Sequence, residues 1–174
     1  YEATPRKLSI FRNDGNASFS APTSLTFSTS TTVQAMVDIT GDSRPDLLAV
    51  ETTGSRQAVY YPQNADGSFG ARTVLPFGNQ IFRLFAGDVN QDGVTDLLSS
   101  QQVGTVFDLR WSSGQGNGAF SNPQLLKGGF GSITNVIVRD LDSDGDPEIT
   151  AGHLLLAAPV TVFENLTGEN PMLL

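Results

Sequence analysis

Three short acidic segments of the sequence place oxygen-bearing residues at alternating positions, an arrangement suited to binding a metal ion. The clearest segment supplies oxygens from loop positions one, three, five, seven and nine, namely Asp88, Asn90, Asp92, the backbone carbonyl of Val94, and Asp96. Gly93 at position six allows the sharp turn that such a loop requires. Because Ca²⁺ takes about six to eight oxygen ligands, this set predicts a calcium site.

The same spacing occurs once before and once after this loop. The first loop has ligand positions Asp38, Thr40, Asp42, Arg44 (through its carbonyl) and Asp46, and the third has Asp140, Asp142, Asp144, Asp146 and Glu148. The loops begin at residues 38, 88 and 140, so they are 50 and 52 residues apart. We expect calcium in the second and third loops. The first loop has Thr40 and Ser43 where the second has an amide and a glycine, and its occupancy stays open.

A second marker repeats at the same period. Turns rich in Asn, Asp and Gly lie near residues 13–16, 64–67 and 116–118, and each precedes a phenylalanine, at positions 19, 69 and 120. Such turns favour β-hairpins because Asn, Asp and Gly tolerate positive φ. No segment has the period of an amphipathic helix, so the sequence predicts an all-β fold with four short strands per period, as in a propeller blade. The outer strands are expected over 19–27, 68–75 and 119–126.

The alternation of an acidic loop with a segment such as Phe69-Gly70-Ala71 or Phe19-Ser20-Ala21-Pro22 resembles the FG-GAP repeat, also called the VCBS repeat. The resemblance covers essentially the whole chain. It implies the integrin α-subunit type of β-propeller, whose blades have four antiparallel strands. It also implies a structural cation in the hairpin between the first and second strands of a blade.

The spacing divides the single repeat region 1–174 into a half blade at 7–28, blades at 31–77 and 80–128, and an incomplete blade at 132–174. This is about three and a half blades, whereas closed propellers have about four to eight. We therefore expect a partial propeller or half of a seven-bladed ring, completed by the rest of a longer chain or by a homodimer. The start at Tyr1, with neither an initiator methionine nor a signal peptide, favours a processed or excised segment.

The composition narrows the classes of function. The net charge is −8, but ten of the 18 acidic residues occupy the first, third, fifth or ninth positions of the loops, so the acidity belongs mainly to the loops. No cluster of Lys and Arg could neutralise phosphates, which argues against nucleic-acid binding. The absence of cysteine excludes disulfides and thiolate metal sites. No apolar run approaches the ~18 residues of a membrane span.

Several of these features also fit other interpretations. The acidic loops could be solvated turns, which are often rich in Asp and Gly. An EF-hand or dockerin loop needs a ligand at position twelve, where this sequence has Ser99 or Ala151. His153 is the only histidine and pairs with no nucleophile, so we expect a structural or surface role for it and no enzymatic activity. Inter-blade packing is expected for Tyr60, Tyr61, Arg110 and Trp111.

The function expected from these features is that of an extracellular or cell-surface module for adhesion or recognition, with calcium in a structural role. A carbohydrate-binding, lectin-like module or the propeller portion of a polysaccharide-active enzyme is the alternative, and a purely architectural spacer is a third. A protein or glycan ligand would bind the loop face opposite the acidic loops. That face is expected to hold residues 52–56, 77–80, 101–105, 127–130 and His153.

Overall fold

The computed structural model describes residues 6–27, 30–154 and 159–164, and within these ranges the chain forms β-strands and no helix. The strands are β1 (Arg6–Ile10), β2 (Asn13–Gly15), β3 (Ser18–Phe19), β4 (Thr23–Phe27), β5 (Ser30–Val37), β6 (Asp46–Thr53), β7 (Ser55–Tyr61), β8 (Thr73–Val74), β9 (Ile81–Gly87), β10 (Asp96–Val103), β11 (Val106–Ser112), β12 (Gln124–Phe130), β13 (Ser132–Arg139), β14 (Glu148–Leu154) and β15 (Val160–Phe163). The all-β prediction is confirmed.

Three antiparallel sheets follow one another along the chain, each built from consecutive strands. The first has the order β5-β6-β7-β8, the second has the order β9-β10-β11-β12, and the third has the order β13-β14-β15. In each sheet the first two strands are joined by one of the acidic loops, and their pairing ends at the ninth loop position, as in Val37↔Asp46 and Arg139↔Glu148. The first two are meandering four-stranded sheets, which are the units of a propeller, and the third has three strands among the described residues.

The N-terminal segment is a hairpin that covers one face of the first sheet. Strand β1 pairs with β4 in the register Arg6↔Phe27 to Ile10↔Thr23. The apolar side of this hairpin packs on the first sheet in a core that contains Leu8, Leu25, Phe27, Leu47, Ala49, Val59, Tyr61 and Phe69. Burial of this apolar area fixes the hairpin on the sheet.

Two further cores lie between successive sheets. The core between the first and second sheets includes Leu48, Val50, Tyr60, Ile81, Leu84 and Leu97, and the core between the second and third includes Leu98, Leu109, Trp111, Phe130, Val136 and Ile149. Strands β9 and β13 approach so closely that a Cβ on Gly87 would lie 2.8 Å from that of Val138. The predicted packing of Tyr60, Tyr61 and Trp111 between sheets is confirmed, whereas Arg110 pairs with Asp108 of its own strand at 2.9 Å.

The outer strands begin later than the sequence predicted, and that of the second sheet runs past the predicted end at residue 126 to Phe130, so residues 127–130 belong to a strand and not to a connection. Residues 19–27 do not form one strand, because Pro22 lacks the amide hydrogen that a continuous ladder needs and β4 begins just after it. The outer strands of the first two sheets begin at Thr73 and Gln124. Before them, Phe69 and Phe120 make only isolated bridges, to Gln63 and Gly114.

The predicted blade boundaries remain predictions. Residue 28 of the half blade and residues 155–158 and 165–174 of the last blade lie outside the described residues. Over the ranges that the structure describes, no helix is long and apolar enough to cross a membrane.

Candidate metal loops

The three acidic loops share one backbone conformation. In each loop the fourth and sixth positions have positive φ: Gly41 and Ser43 (76° and 64°), Gln91 and Gly93 (57° and 78°), and Ser143 and Gly145 (68° and 100°). These left-handed residues curl the chain around the carboxylate at position one. The expected turn at Gly93 is therefore present, and Ser43 adopts the same conformation without being glycine.

The first-position carboxylate organises each loop by accepting backbone hydrogen bonds from it. Asp38 accepts from the amides of Gly41 and Ser43, both at 2.7 Å. Asp88 accepts from Gly93 at 2.9 Å, and Asp140 accepts from Ser143 at 2.7 Å. These bonds between backbone amides and the first-position carboxylate preorganise the loops, because they stabilise the curled backbone conformation without a bound ion.

The ninth-position carboxylate is buried in every loop and ties the loop to its sheet. Asp46 and Asp96 are 0% exposed and Glu148 is 4% exposed. Asp46 accepts hydrogen bonds from the amides of Ile39 (3.0 Å), Thr40 (3.0 Å) and Gln63 (2.9 Å). This structural role was not foreseen from the sequence, which treated position nine only as a metal ligand.

Asp96 occupies the same place in the second loop. It accepts from the amides of Val89 (3.0 Å) and Gly114 (2.8 Å) and from the indole N–H of Trp111 (3.1 Å). Burial raises the pKa of Asp96 above its ordinary value, although these three hydrogen bonds act in the opposite direction. Glu148 is less fully engaged: the bond described for it comes from the amide of Leu141 at 2.7 Å.

The third loop brings acidic side chains together. Asp140, Asp142 and Glu148 each place a carboxylate oxygen within 4.8 Å of the others, and among the described residues this is the one group of three or more acidic or histidine side chains to do so. The buried Oδ2 of Asp146 makes no hydrogen bond. Asp144 accepts from the amide of Asp146 at 2.9 Å. Hard oxygen ligands at this separation suit a cation such as Ca²⁺.

The other two loops use their side chains differently. In the second, Asn90 donates its amide N–H to Asp92 at 2.9 Å. In the first, Arg44 forms an ion pair with Asp42, and the hydroxyl oxygen of Thr40 is buried without a partner. The seventh position was predicted to act through its carbonyl alone, so the contacts of the Arg44 side chain were missed.

The loops lie side by side along one edge of the stacked sheets. Gln91 of the second loop donates to the Gly145 carbonyl and, at 3.2 Å, to Asp146 of the third. Ile39 of the first loop accepts from Gly118 in the β11–β12 connection at 3.1 Å. A cavity of about 170 Å³ separates the first loop from residues of the second. The second loop therefore contacts the third loop directly, and the first loop contacts the second sheet through its β11–β12 connection.

A buried polar cluster on β6 and β7 was also missed. Glu51 is 2% exposed, accepts from the hydroxyl of Tyr61 at 2.6 Å and pairs with Arg72 at 3.0 Å. Burial, and next the hydrogen bond to Glu51, raises the pKa of Tyr61 above its ordinary value of 10.0. The available signal was Glu51 itself, a charged residue directly after the apolar run 47–50.

Tyr61→Phe is expected to lower the free energy of unfolding by about 2 kcal/mol, because it removes the hydroxyl that donates to one oxygen of the buried Glu51 carboxylate and leaves the ion pair with Arg72 at the other. Tyr60→Phe, for which no hydroxyl hydrogen bond is described, is the matched control and should cost less than about 0.5 kcal/mol. Since the pKa of Tyr61 is raised in the fold, its contribution is complete below about pH 10 and declines as the pH rises through the raised value. Urea denaturation of both variants at neutral and alkaline pH measures this, and equal costs would contradict it.

Part of the face expected to bind a partner is interior. Phe77, Phe130 and His153 are 4%, 1% and 3% exposed, so their side chains cannot contact a partner directly. His153 lies against the ring of Phe130 at 4.9 Å between centroids and contacts the Thr161 hydroxyl at 3.0 Å, as a structural role requires. Phe77 and Phe130 are buried because they belong to the apolar cores between the sheets, and His153 is buried against Phe130.

Comparison with known families agrees with this architecture. Residues 38–99 match the model of the FG-GAP-like repeat. The match runs from the first position of the first acidic loop, through β6 to β9, to the second loop and the start of β10. A search of curated proteins found no match. Residues 38–99 therefore match an FG-GAP-like repeat, and this matched segment contains the first two acidic loops.

Proposed function

We propose that this chain is a calcium-binding β-propeller segment that acts as an extracellular module for adhesion or recognition, with calcium in a structural role. The observation that carries the proposal is the convergence of Asp140, Asp142 and Glu148 in the third loop. Like charges at this separation repel one another, and a divalent cation bound among them would supply the compensating charge. Calcium bound in this way would stabilise the fold and would take no part in a reaction.

The donor set of the third loop fits calcium. All of its side-chain ligands are carboxylates, and the buried Oδ2 of Asp146 makes no hydrogen bond that a bound cation would have to break. The second loop offers the same kinds of donor: the carboxylates of Asp88, Asp92 and Asp96, the amide oxygen of Asn90 and the carbonyl of Val94. Both carboxylate oxygens of Asp96 accept hydrogen bonds from the sheet, and we propose that it keeps them when calcium binds.

The experiment that tests this proposal is thermal unfolding in millimolar calcium and in excess chelator. Binding to the folded state alone adds about 2.7 kcal/mol at a hundredfold excess over Kd, which corresponds to a rise in Tm of about 5–10 °C for a domain of this size. Asp142→Asn should reduce the rise. Asp14→Asn, an exposed change in the N-terminal hairpin, should leave it intact. The same Tm in both buffers would contradict calcium binding.

Terbium luminescence addresses the second loop separately. Trp111 is the only tryptophan and its indole nitrogen lies 3.1 Å from a carboxylate oxygen of Asp96, so a lanthanide in this loop would receive energy from the indole. We expect sensitised terbium emission that decreases when calcium displaces the terbium. Asp88→Asn should abolish this emission. Emission unchanged in Asp88→Asn would mean that the ion binds elsewhere.

Two arguments support the proposed extracellular localisation. FG-GAP repeats are typical of extracellular proteins. Calcium modules of the exterior work with Kd near 10⁻⁴–10⁻³ M, the range expected for loops built on exposed carboxylates. A binding role, rather than an enzymatic one, accords with the usual non-enzymatic nature of such repeats.

The partner, a protein or a glycan, is proposed to bind the turns at the opposite ends of the strands. There, Val103 and Val106 are 49% and 37% exposed, and Lys127 is exposed nearby on β12. Arg56 is less suitable than the sequence suggested, because its guanidinium lies 3.8 Å from the ring centroid of Phe82. Glycan-array and cell-adhesion assays of the native chain and of a Val103→Ser/Lys127→Ala variant would test this face, and identical binding would argue against it.

A further inference from the structure

The three loops differ in charge at the seventh position, where they carry Arg44, Val94 and Asp146. The first loop has three carboxylates and one guanidinium at its ligand positions, a net of two negative charges. The second has three carboxylates, and the third has five. Since attraction for a divalent cation grows with the charge of its site, the loops should differ in affinity.

The Arg44 side chain is 40% exposed and links the first loop to the neighbouring segment through two contacts. Its guanidinium forms the ion pair with Asp42, the fifth-position residue, and its Nε donates to the Gln63 carbonyl at 2.9 Å. The amide of Gln63 in turn donates to Asp46 at 2.9 Å. One residue of the neighbouring segment therefore anchors both Arg44 and the ninth-position carboxylate.

The second loop has an uncharged side chain, Val94, at the seventh position. Val94 lies beside Gly114 and Gly116 of the β11–β12 connection, and Gly114 donates to Asp96 as Gln63 does to Asp46. The two loops thus share their backbone conformation and the hydrogen bond to the ninth-position carboxylate, and they differ by the guanidinium of Arg44. It is not needed to form the loop, because the second loop forms the same backbone curl with valine.

We infer that Arg44 is the resident cation of the first loop, and that this loop does not bind calcium at concentrations that fill the other two. Calcium could use Asp42 only after displacing the guanidinium, and the two cations would otherwise repel each other at close range. The third position, Thr40, offers a neutral hydroxyl in place of a carboxylate or amide oxygen. The inference rests on the proposed calcium binding by the second and third loops.

The test is the number of calcium ions bound per chain, counted by native mass spectrometry at calcium concentrations that saturate the thermal shift. Arg44→Val, which installs the residue that the second loop has at this position, should bind one more ion than the native chain. Adding Asp38→Asn to Arg44→Val should return the count to the native value, which assigns the extra ion to the first loop. Arg83→Gln, which removes an exposed positive charge on β9, should not change it.

Two results would overturn the assignment: three ions on the native chain, or an unchanged count in a folded Arg44→Val variant. Folding is checked by circular dichroism, and Arg44→Gln, which keeps a donor for the Gln63 carbonyl, replaces the valine variant if the latter is unfolded. A native chain that binds no calcium at any concentration would refute the proposed function itself. A failed assignment with calcium still bound elsewhere is therefore distinguishable from a failure of the calcium proposal.

Discussion

Asp96→Ala is expected to lower the free energy of unfolding by about 3–5 kcal/mol, even with calcium removed by chelator. The substitution removes the acceptor of three buried hydrogen bonds, which are donated by the amides of Val89 and Gly114 and by the indole N–H of Trp111. Each such loss costs about 1–3 kcal/mol. Burial raises the pKa of Asp96, so the deletion also relieves some desolvation of the ionised carboxylate, which keeps the expected loss near the lower end of the sum.

Asp92→Ala is the matched control in the same loop. Asp92 is exposed and accepts from the Val94 amide at 2.8 Å and from Asn90 at 2.9 Å, so its loss should cost about 1 kcal/mol or less. Urea denaturation of both variants in excess chelator compares the structural terms alone. Similar costs would mean that the ninth-position carboxylate acts only through a bound metal.

The repeat itself could be predicted from local sequence. Acidic loops and hairpin turns recur about every fifty residues, and the alternation of apolar residues around them is enough to indicate four short strands per period. The first and second strands of each sheet flank the loops where the sequence predicts them, as with β9 and β10 around residues 88–95. Their pairing depends on contacts between nearby residues, which a local pattern encodes.

The roles of individual carboxylates could not be predicted, because their partners are distant in the chain. Asp46 receives a bond from Gln63 and Asp96 one from Gly114, 17 and 18 residues away. Glu51 meets Arg72 only when β7 and the following segment fold over it. In the sequence, an Asp that supports the sheet has the same spacing as an Asp that faces solvent.

The relative suitability of the loops also depends on side-chain contacts. The second loop has the clearest motif in the sequence, yet the structure brings carboxylates together in the third. Asn90 and Asp92 bond to each other in the second loop, whereas Asp140 and Asp142 both approach Glu148 in the third. The motif specifies which oxygens are available, and packing decides which of them already converge.

Gly41→Ala is expected to destabilise the protein by about 3 kcal/mol or more, because the first loop packs against the next sheet through backbone atoms. Gly41 has a φ of 76°, and a Cβ there would lie closer to the Gly116 carbonyl oxygen than the 3.0 Å below which such contacts essentially never occur. Neither group is a flexible side chain that could move aside. Relief would require the loop and the turn to separate, which would break the Gly118 to Ile39 hydrogen bond of 3.1 Å.

Gly54→Ala separates this clash from backbone strain. Gly54 has nearly the same φ, 73°, but nothing lies within 4 Å of its Cβ position. Its substitution should cost only the left-handed penalty of about 1–2 kcal/mol. The difference between the two variants in urea denaturation therefore measures the contact between the first loop and the second sheet. Equal losses would show that the turn at Gly116 yields freely, and that the acidic loop does not help to fix the first sheet against the second.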